Sequence, residues 1–202
     1  MNRYIAVLLF LFLAGTAYIL VPSGYDIINV DPIGDTIVCF GDSLTYGIGA
    51  ARDKTYPAQL SRLIDREIIN AGVPGETTAA ALNRVDNILA LKPQMVLITL
   101  GGNDLKNGVG REEAFRNLGE IIRKFQDGGA LVVIGGLDVP FWGRGFGDEY
   151  ERLAEEVGAV LVPNVLEDIF GEPGLMSDRI HPNGKGYTIM AQYFYDAIEP
   201  YL

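Results

Sequence analysis

Short apolar runs, separated by stretches with helical periodicity, constrain the fold of this chain more than any other feature. The clearest run occupies residues 95–100, further runs lie at 36–40, 131–134 and 160–162, and a shorter candidate lies at 67–70. A continuous apolar run is typical of a strand buried on both faces, as in a parallel sheet. The pattern therefore predicts five strands.

Between these runs, apolar residues recur at the spacing of an amphipathic helix. The predicted helical faces carry Tyr56, Leu60, Leu63 and Ile64; Leu82, Val85, Ile88 and Leu89; Phe115, Leu118, Ile121, Ile122 and Phe125; and Met190, Tyr193, Phe194, Ala197 and Ile198. A further helix is expected near residues 148–157. Strands that alternate with helices favour a parallel sheet covered on both faces. Because crossovers are right-handed, we predict a three-layer α/β/α fold with a doubly wound, flavodoxin-like, parallel five-stranded sheet.

The N-terminal segment differs in kind from the rest of the chain. Residues 4–21 are almost wholly apolar and uncharged, and Arg3 precedes them. This length lies between that of a long signal peptide and that of a membrane-spanning helix, which needs about 20 residues. Positive charge before the span predicts an internal N-terminus and an exported remainder. We therefore predict a signal or, preferably, an uncleaved membrane anchor at 1–22, a tether at 23–34 and one domain at 35–202.

Composition limits the partners and cofactors of this domain. The net charge of -10 argues against binding to nucleic acid, which recruits basic surfaces. It also gives no electrostatic attraction to anionic lipid. Cys39 is the only cysteine, so neither an intramolecular disulfide nor a thiolate metal site is expected. Its place within a predicted strand indicates a small buried apolar residue.

Polar or glycine-rich segments follow the predicted strands, where the carboxyl ends of parallel strands form a ligand-binding edge. The segments are Gly41-Asp42-Ser43-Leu44, residues 70–77 and Gly101-Gly102-Asn103-Asp104, and Asp178-Arg179-Ile180-His181-Pro182-Asn183 precedes the last helix. The first segment places the Ser43 hydroxyl at this edge, between a strand and a helix. Gly, Asp and Ser are also ordinary turn residues, so a plain strand-to-helix turn is the alternative.

His181, the only histidine in the chain, is a candidate base for Ser43. Asp178 lies three residues earlier, so its carboxylate can reach one ring nitrogen and leave the other to face Ser43. Such an aspartate holds the tautomer and stabilises the imidazolium. Pro182 disfavours helical geometry at His181 and predicts a loop there. The alternative is a surface Asp/His turn before a helix.

Gly72 and Asn103 are candidates for a second task. A tetrahedral intermediate places negative charge on an oxygen, which needs fixed donors such as backbone N–H groups or an amide. Gly72 allows close approach of the backbone, Asn103 offers its amide, and Ser43 offers its own N–H. Both Gly72 and Asn103 could instead be ordinary turn residues.

Taken together, these four segments resemble the four blocks of the SGNH, or GDSL-type, hydrolases, in the order of that family. The likeness is strongest to the bacterial arylesterase, thioesterase I and lysophospholipase L1 branch. It implies the SGNH hydrolase fold and ester hydrolysis without a metal or other cofactor. It also implies that Ser43 is the nucleophile, His181 the base and Asp178 its orienting partner, with Ser43, Gly72 and Asn103 as oxyanion donors.

Two features separate the chain from that branch or extend beyond its motifs. Arg179 stands where the branch often has glycine, which adds a bulky cation beside the catalytic loop. The segment 138–148 carries Phe141, Trp142 and Phe146 among glycines. Because it follows the fourth strand, we expect these aromatic residues to bind the substrate by closing over an acyl chain. Packing of the same aromatics on the core is the alternative.

Three functions follow from these features. The leading hypothesis is a serine esterase that hydrolyses small-molecule acyl esters or thioesters, lysophospholipids among them, through an acyl-enzyme. A related alternative is an O-acetyl deacetylase of exported glycans. An alternative of another class is a non-catalytic flavodoxin-like module in which Ser43 and Thr45 hold a phosphate at a helix N-terminus. The pairing of His181 with Asp178 argues against this last reading, and no oligomeric state is predicted.

Overall fold

The fold is known from a computed structural model that describes residues 24–32, 34–139 and 145–202. Five parallel strands form one sheet in the order β2-β1-β3-β4-β5. The strands are β1 Thr36–Gly41, β2 Ile68–Gly72, β3 Pro93–Thr99, β4 Leu131–Gly135 and β5 Val160–Val162. This order confirms the predicted flavodoxin-like sheet. The direction of winding reverses between β1 and β3, and open α/β sheets bind ligands at such a switch point.

Helices cover both faces of the sheet and complete three layers. They are α1 Ser43–Tyr46, α2 Tyr56–Ile64, α3 Thr78–Leu82, α4 Val85–Leu89, α5 Gly102–Lys106, α6 Arg111–Asp127, α7 Phe146–Val157 and α8 Gly184–Ile198, with 3₁₀ turns at Arg52–Lys54 and Glu199–Tyr201. Helices α2 and α8 pack together in one layer, and α6 packs with α3, α4 and α7 in the other. The short helices α1 and α5 begin directly beyond β1 and β3, so they present their first residues at the switch point.

The sheet forms the centre of the hydrophobic core. Every residue of β4 is buried, as are Ile37 to Phe40 of β1 and Met95 to Ile98 of β3. This double-sided burial is the reason that the strands are apolar without alternation. Cys39 is fully buried in β1, and burial raises the pKa of its thiol to about 12. The thiol therefore stays protonated and packs as a small apolar group.

The helix predicted around Leu82 to Leu89 is two short helices, α3 and α4. The chain turns at Asn83 and Arg84 between them. The reason is tertiary, because the Arg84 guanidinium bonds Glu76 and the carbonyl oxygens of Gly41 and Ala71 at the strand ends. The break between α3 and α4 allows the Arg84 side chain to reach the edge of the sheet.

The predicted hydrophobic segment at 1–22 lies outside the described residues. Among the residues that are described, the structure contains no helix with the length and apolarity needed to span a bilayer. Part of the predicted tether packs on the domain. Tyr25 Oη donates to the Ala159 carbonyl (2.9 Å), Ile28 N to Gly158 (2.9 Å), and Asn29 Nδ2 to Ala130 (3.0 Å). Ala130 and Ala159 directly precede β4 and β5, so this segment is held at the amino-terminal edge of the sheet.

Candidate active site

Ser43 is presented by a tight turn from β1 into α1. Asp42 caps this helix, since its Oδ1 accepts a hydrogen bond from Leu44 N (3.0 Å). Close packing at the end of β1 requires glycine, because a Cβ at Gly41 would overlap the Thr99 carbonyl oxygen and Thr45 Oγ1. The half-buried Ser43 therefore sits at the first position of α1, at the carboxyl edge of the sheet, as predicted.

Ser43, His181 and Asp178 form one hydrogen-bonded series. Ser43 Oγ lies 2.9 Å from His181 Nε2, and His181 Nδ1 lies 2.8 Å from Asp178 Oδ2. The hydrogen bond with the His181 ring, followed by backbone N–H groups of His181 and Ile180, lowers the pKa of Asp178 to about 2. An ionised carboxylate accepts from Nδ1–H, so Nε2 of the neutral ring is left as the acceptor for the Ser43 hydroxyl.

The loop that carries His181 is held from both ends. Ser177 N donates to the His181 carbonyl (2.9 Å), and Asn183 N donates to Leu175 (2.7 Å). The Asn183 side chain caps α8 by accepting from Lys185 N and Gly186 N. His181 thus lies on an ordered loop directly before the helix, as Pro182 predicts, and its imidazole is held towards Ser43.

Gly72 does not occupy the position predicted for an oxyanion donor. Its N–H donates to Asn70 Oδ1 (3.0 Å) at the end of β2. A Cβ there would overlap the backbone of Tyr46, so glycine is needed for the packing of α1 on β2. Among the described residues that line the cavity around Ser43, Gly72 is absent. The role that the structure gives Gly72 is close packing, with its N–H already used.

Gly75, three residues after Gly72, is the glycine of this segment that reaches the cavity. It lines the cavity that contains Ser43 and His181. Glu76 N donates to the Val73 carbonyl (3.2 Å), and Gly75 has a φ of 81°, so the Pro74-Gly75 pair forms the centre of a tight turn. No described residue accepts a hydrogen bond from Gly75 N–H. The Pro-Gly dipeptide was the available sequence signal, because it marks a turn with an exposed backbone.

Asn103 lies in the cavity wall, as predicted. It is near the start of α5, and its Nδ2 donates to Asp42 Oδ2 (3.1 Å) and to the Glu76 carbonyl (3.0 Å). Both amide hydrogens therefore have acceptors in this structure. A developing oxyanion would have to share or displace one of these acceptors to gain the amide.

Asp104, which follows Asn103, has a structural role. It is fully buried, and its two carboxylate oxygens accept from Thr78 N (2.9 Å) and Thr78 Oγ1 (2.6 Å) at the start of α3. The carboxylate thereby joins α5 to α3 behind the cavity wall. Within the described ranges, no three His, Cys, Asp or Glu side chains are placed to hold a metal ion.

Asp42 is a buried carboxyl beside the nucleophile, with only 4 % of its surface exposed. Burial raises its pKa to about 7, and the nearby carboxylates of Glu76 and Asp104 act in the same direction. The hydrogen bond from Leu44 N opposes this shift. The carboxyl therefore changes its charge near neutral pH, within contact of Asn103.

We expect Asp42→Asn to change the pH dependence of stability. A raised pKa means that the folded state prefers the protonated carboxyl. The stability that the protonated carboxyl contributes is complete below the ordinary pKa of about 4. This stability is lost as the pH rises through the folded-state pKa of about 7. Asparagine keeps an acceptor for Leu44 N but loses the one for Asn103 Nδ2 and carries no charge. The difference in melting temperature between variant and wild type should therefore shift in favour of the variant as the pH rises from 5 to 8. A difference in melting temperature that is constant over this range would contradict the raised pKa.

The cavity beside the triad has a volume of about 290 Å³ and one predominantly apolar wall. The apolar wall follows β4 and β5 and comprises Leu137, Val139, Leu166, Phe170 and Ile180. No sequence pattern indicated these residues, because they lie in irregular segments that meet only in the folded chain. Ser43 Oγ thus faces a site with donors on one side and hydrocarbon on the other.

The predicted aromatic substrate residues are not part of this wall as described. Phe141 and Trp142 lie outside the described residues. Phe146 is only 4 % exposed and packs against Phe115 and Tyr150, with ring centroids 5.2 and 6.3 Å away. It is therefore a core residue at the start of α7, and the packing alternative holds for it. Of the aromatic residues described, Phe170 lines the cavity instead.

This geometry defines a serine hydrolase: an oriented Ser–His–Asp series at the switch point of a flavodoxin-like sheet. Comparison with known sequences is more specific. Residues 39–189 match the GDSL-like Lipase/Acylhydrolase family, and the chain belongs to that family. The SGNH resemblance is confirmed, and the chain is an ester hydrolase. The comparisons give no support to the phosphate-binding alternative, and Ser43 Oγ is instead hydrogen-bonded to His181 Nε2.

Named relatives come from the predicted branch. The arylesterase of Vibrio mimicus is 30% identical over 79% of this chain and 86% of its own length. The thioesterase 1/protease 1/lysophospholipase L1 of Escherichia coli is 27% identical over 82% of this chain and 84% of its own. The crystal structure of TesA superposes with a TM-score of 0.78 and 30% identity, covering 83% of this chain and 99% of that one.

Proposed function

We propose that this protein hydrolyses acyl esters or thioesters of short to medium chain length through an acyl-enzyme on Ser43. The observation that supports this function most directly is the unbroken series from Ser43 Oγ through His181 to Asp178, beside an apolar cavity. A cavity of about 290 Å³ is small for a binding pocket. It suits one modest hydrocarbon chain next to the reacting carbonyl.

The first half-reaction forms the acyl-enzyme. Ser43 Oγ attacks the carbonyl carbon while His181 Nε2 takes its proton, and the new imidazolium is stabilised by the Asp178 carboxylate. The carbonyl electrons move to the oxygen, which the N–H groups of Ser43 and Gly75 and the Asn103 amide would stabilise. Collapse of this intermediate breaks the bond to the alcohol or thiol, which leaves with the proton from His181.

Water completes the reaction by the same groups. His181 Nε2 takes a proton from water as the hydroxyl oxygen attacks the acyl carbon on Ser43. The second intermediate collapses, the carboxylic acid is released, and the proton returns to Ser43 Oγ. The apolar wall keeps the acyl chain in place through both steps while the leaving alcohol or thiol is exchanged for water.

A panel of p-nitrophenyl esters tests this function. Acetyl, butyryl, octanoyl and palmitoyl esters should be hydrolysed with the highest kcat/KM at butyryl or octanoyl, because the cavity is too small for a palmitoyl chain. The matching acyl thioesters should follow the same order. Absence of turnover on every ester by correctly folded protein would contradict the proposal. A strict preference for acetyl esters would support the deacetylation alternative instead.

We also propose that residues 1–22 export the domain and hold it at the membrane as an uncleaved anchor. The support is the uncharged apolar span at 4–21 behind Arg3. The full-length protein should be found in the membrane fraction and should be released by detergent but not by salt. Mass spectrometry of the N-terminus distinguishes the anchor from a signal, because cleavage near residue 17 would remove most of the span.

A further inference from the structure

Lys106 brings a positive charge to the wall of the catalytic cavity. It is the last residue of α5 and an exposed lysine that lines the cavity together with Ser43, Asn103 and His181. Among the described lining residues, it is the one side chain with a permanent positive charge. The cavity therefore combines hydrocarbon, oxyanion donors and one ammonium group.

This ammonium group has no partner in the part of the chain that the structure describes. No ion pair or hydrogen bond joins it to a carboxylate. The chain has 26 acidic residues against 16 lysines and arginines, so acidic partners are plentiful. Arg84, Arg123, Lys124 and Arg152 each pair with a carboxylate. Lys106 has no such carboxylate partner among the described residues, and it is the basic residue that lines the cavity.

The helix places Lys106 close to Asn103. Asn103 and Lys106 are three residues apart on α5, so their side chains leave the same face about 5–6 Å apart at Cβ. With the ester carbonyl bound at Asn103, the Lys106 side chain is long enough to reach a group attached to that ester. An anionic group on the substrate would then face the Lys106 ammonium group. Elsewhere on the surface it would be repelled by a protein with a net charge of -10.

We propose that the physiological substrate is an ester or thioester with an anionic group, a carboxylate or phosphate, that pairs with Lys106. This inference rests on the proposed function and narrows its substrate class. The anion can lie on the acyl part or on the leaving group, and both sources share the same chemistry at Lys106. The apolar wall binds the hydrocarbon of either kind of substrate.

Matched ester pairs test the proposal and separate the two sources. One pair is mono-4-nitrophenyl succinate and its methyl ester, which differ in charge on the acyl side. The other is 4-butyryloxybenzoate and 4-butyryloxybenzamide, which differ in charge on the leaving group. Lys106→Gln should lower the anionic-to-neutral ratio of kcat/KM about fivefold for one of these pairs, as an exposed ion pair predicts. Added salt should lower the same ratio in wild type.

Lys124→Gln is the matched control, because it removes the same charge from the surface of α6. It should leave both ratios unchanged, and Lys106→Arg should retain most of the preference. If Lys106→Gln moves neither ratio beyond the control, the proposal is overturned. Calorimetric binding of the four esters to Ser43→Ala measures the same preference without turnover. Failure of the ester hydrolase function therefore remains distinguishable from failure of the anion site.

Arg84 carries a second, independent inference about the oxyanion site. Its Nε and Nη2 bond the two carboxylate oxygens of Glu76 (2.6 and 2.5 Å), and Nη2 also donates to the carbonyls of Ala71 (2.9 Å) and Gly41 (3.3 Å). The guanidinium carbon lies 4.0 Å from the centre of the Phe40 ring. The Glu76 side chain is 5 % exposed, so this is a nearly buried pair with its hydrogen bonds satisfied.

These hydrogen bonds connect the turn that carries Ser43 with the turn that carries Gly75. Gly41 leads directly into Asp42 and Ser43, whereas Glu76 follows Gly75, and the Glu76 carbonyl accepts from Asn103 Nδ2. The Arg84 side chain therefore holds the turn that carries Ser43 in a fixed position relative to the turn at Pro74 and Gly75. We infer that Arg84 is a positioning residue for the oxyanion donors, although it does not touch the substrate.

Kinetics distinguish this role from simple stabilisation. Arg84→Met should lower kcat by about 10- to 100-fold with little change in KM, because displacement of donors by about 1 Å has effects of this size. Arg84→Lys should recover only part of kcat, since lysine lacks the bidentate fork. If Arg84→Met fails to fold, Glu76→Gln provides the test with a smaller fall in kcat. Folded variants that lose thermal stability but keep the wild-type kcat would overturn the inference.

Discussion

Ser43→Ala and His181→Ala are each expected to lower kcat for ester hydrolysis by on the order of 10⁶, the size found when coupled triad members are removed. Ser43→Ala removes the atom that forms the acyl-enzyme. His181→Ala removes the group 2.9 Å away that must take the proton from the Ser43 hydroxyl, and no second histidine exists in the chain. Initial rates on p-nitrophenyl butyrate, with active-site titration of the wild type, measure both losses.

The double variant provides the internal check. Because Ser43 and His181 act in the same step, the double variant should be no slower than the slower single variant. Circular dichroism and melting temperatures must show that all three variants are folded. A folded His181→Ala protein with near-normal turnover would exclude the proposed mechanism, since His181 is the only histidine in the sequence.

Asp178→Asn should lower kcat by about 10⁴, as for the equivalent change in another serine hydrolase triad. The pKa of about 2 keeps Asp178 ionised at working pH, where it accepts from His181 Nδ1–H. Asparagine can present an N–H there instead, which favours the opposite tautomer and leaves Nε2 protonated towards Ser43. Its Oδ1 can still accept from the backbone N–H groups of Ile180 and His181, so the loop should stay intact.

A matched surface change isolates the electrostatic effect. Asp86→Asn removes a carboxylate from α4 whose side chain is 81 % exposed and which pairs with Lys124. This variant should keep the wild-type kcat, whereas Asp178→Asn should lose activity at every pH between 5 and 9. Equal rates for the two variants would mean that Asp178 does not orient His181 during turnover.

The strands and the triad could be predicted because their signals are local or unambiguous. A strand buried on both faces must be apolar throughout, which identified the runs that became β1, β3, β4 and β5. A serine after the first strand needs a base, and one histidine was available. The spacing of Asp178 and His181 allowed direct contact, and the structure shows it.

The choice between Gly72 and Gly75 illustrates the opposite situation. Gly72 ends β2 and Gly75 lies three residues beyond it, and both suit a close approach of the backbone. Only the folded chain shows that Gly72 packs on Tyr46 with its N–H bonded to Asn70, while the turn at Pro74 directs Gly75 into the cavity. A shift of three residues around a turn changes which N–H faces the cavity. Residue type alone does not indicate that direction.

The layers of the fold, the nucleophile and its base could therefore be predicted from residue order, because burial and acid–base chemistry restrict residue type at single positions. Tertiary structure alone decided the apolar wall from Leu137 to Ile180, the break in the helix at Arg84 and the docking of Tyr25 on the domain. Each of these depends on contacts between distant segments. Which of these contacts form depends on how the segments are oriented in space, and no local period or spacing encodes that orientation.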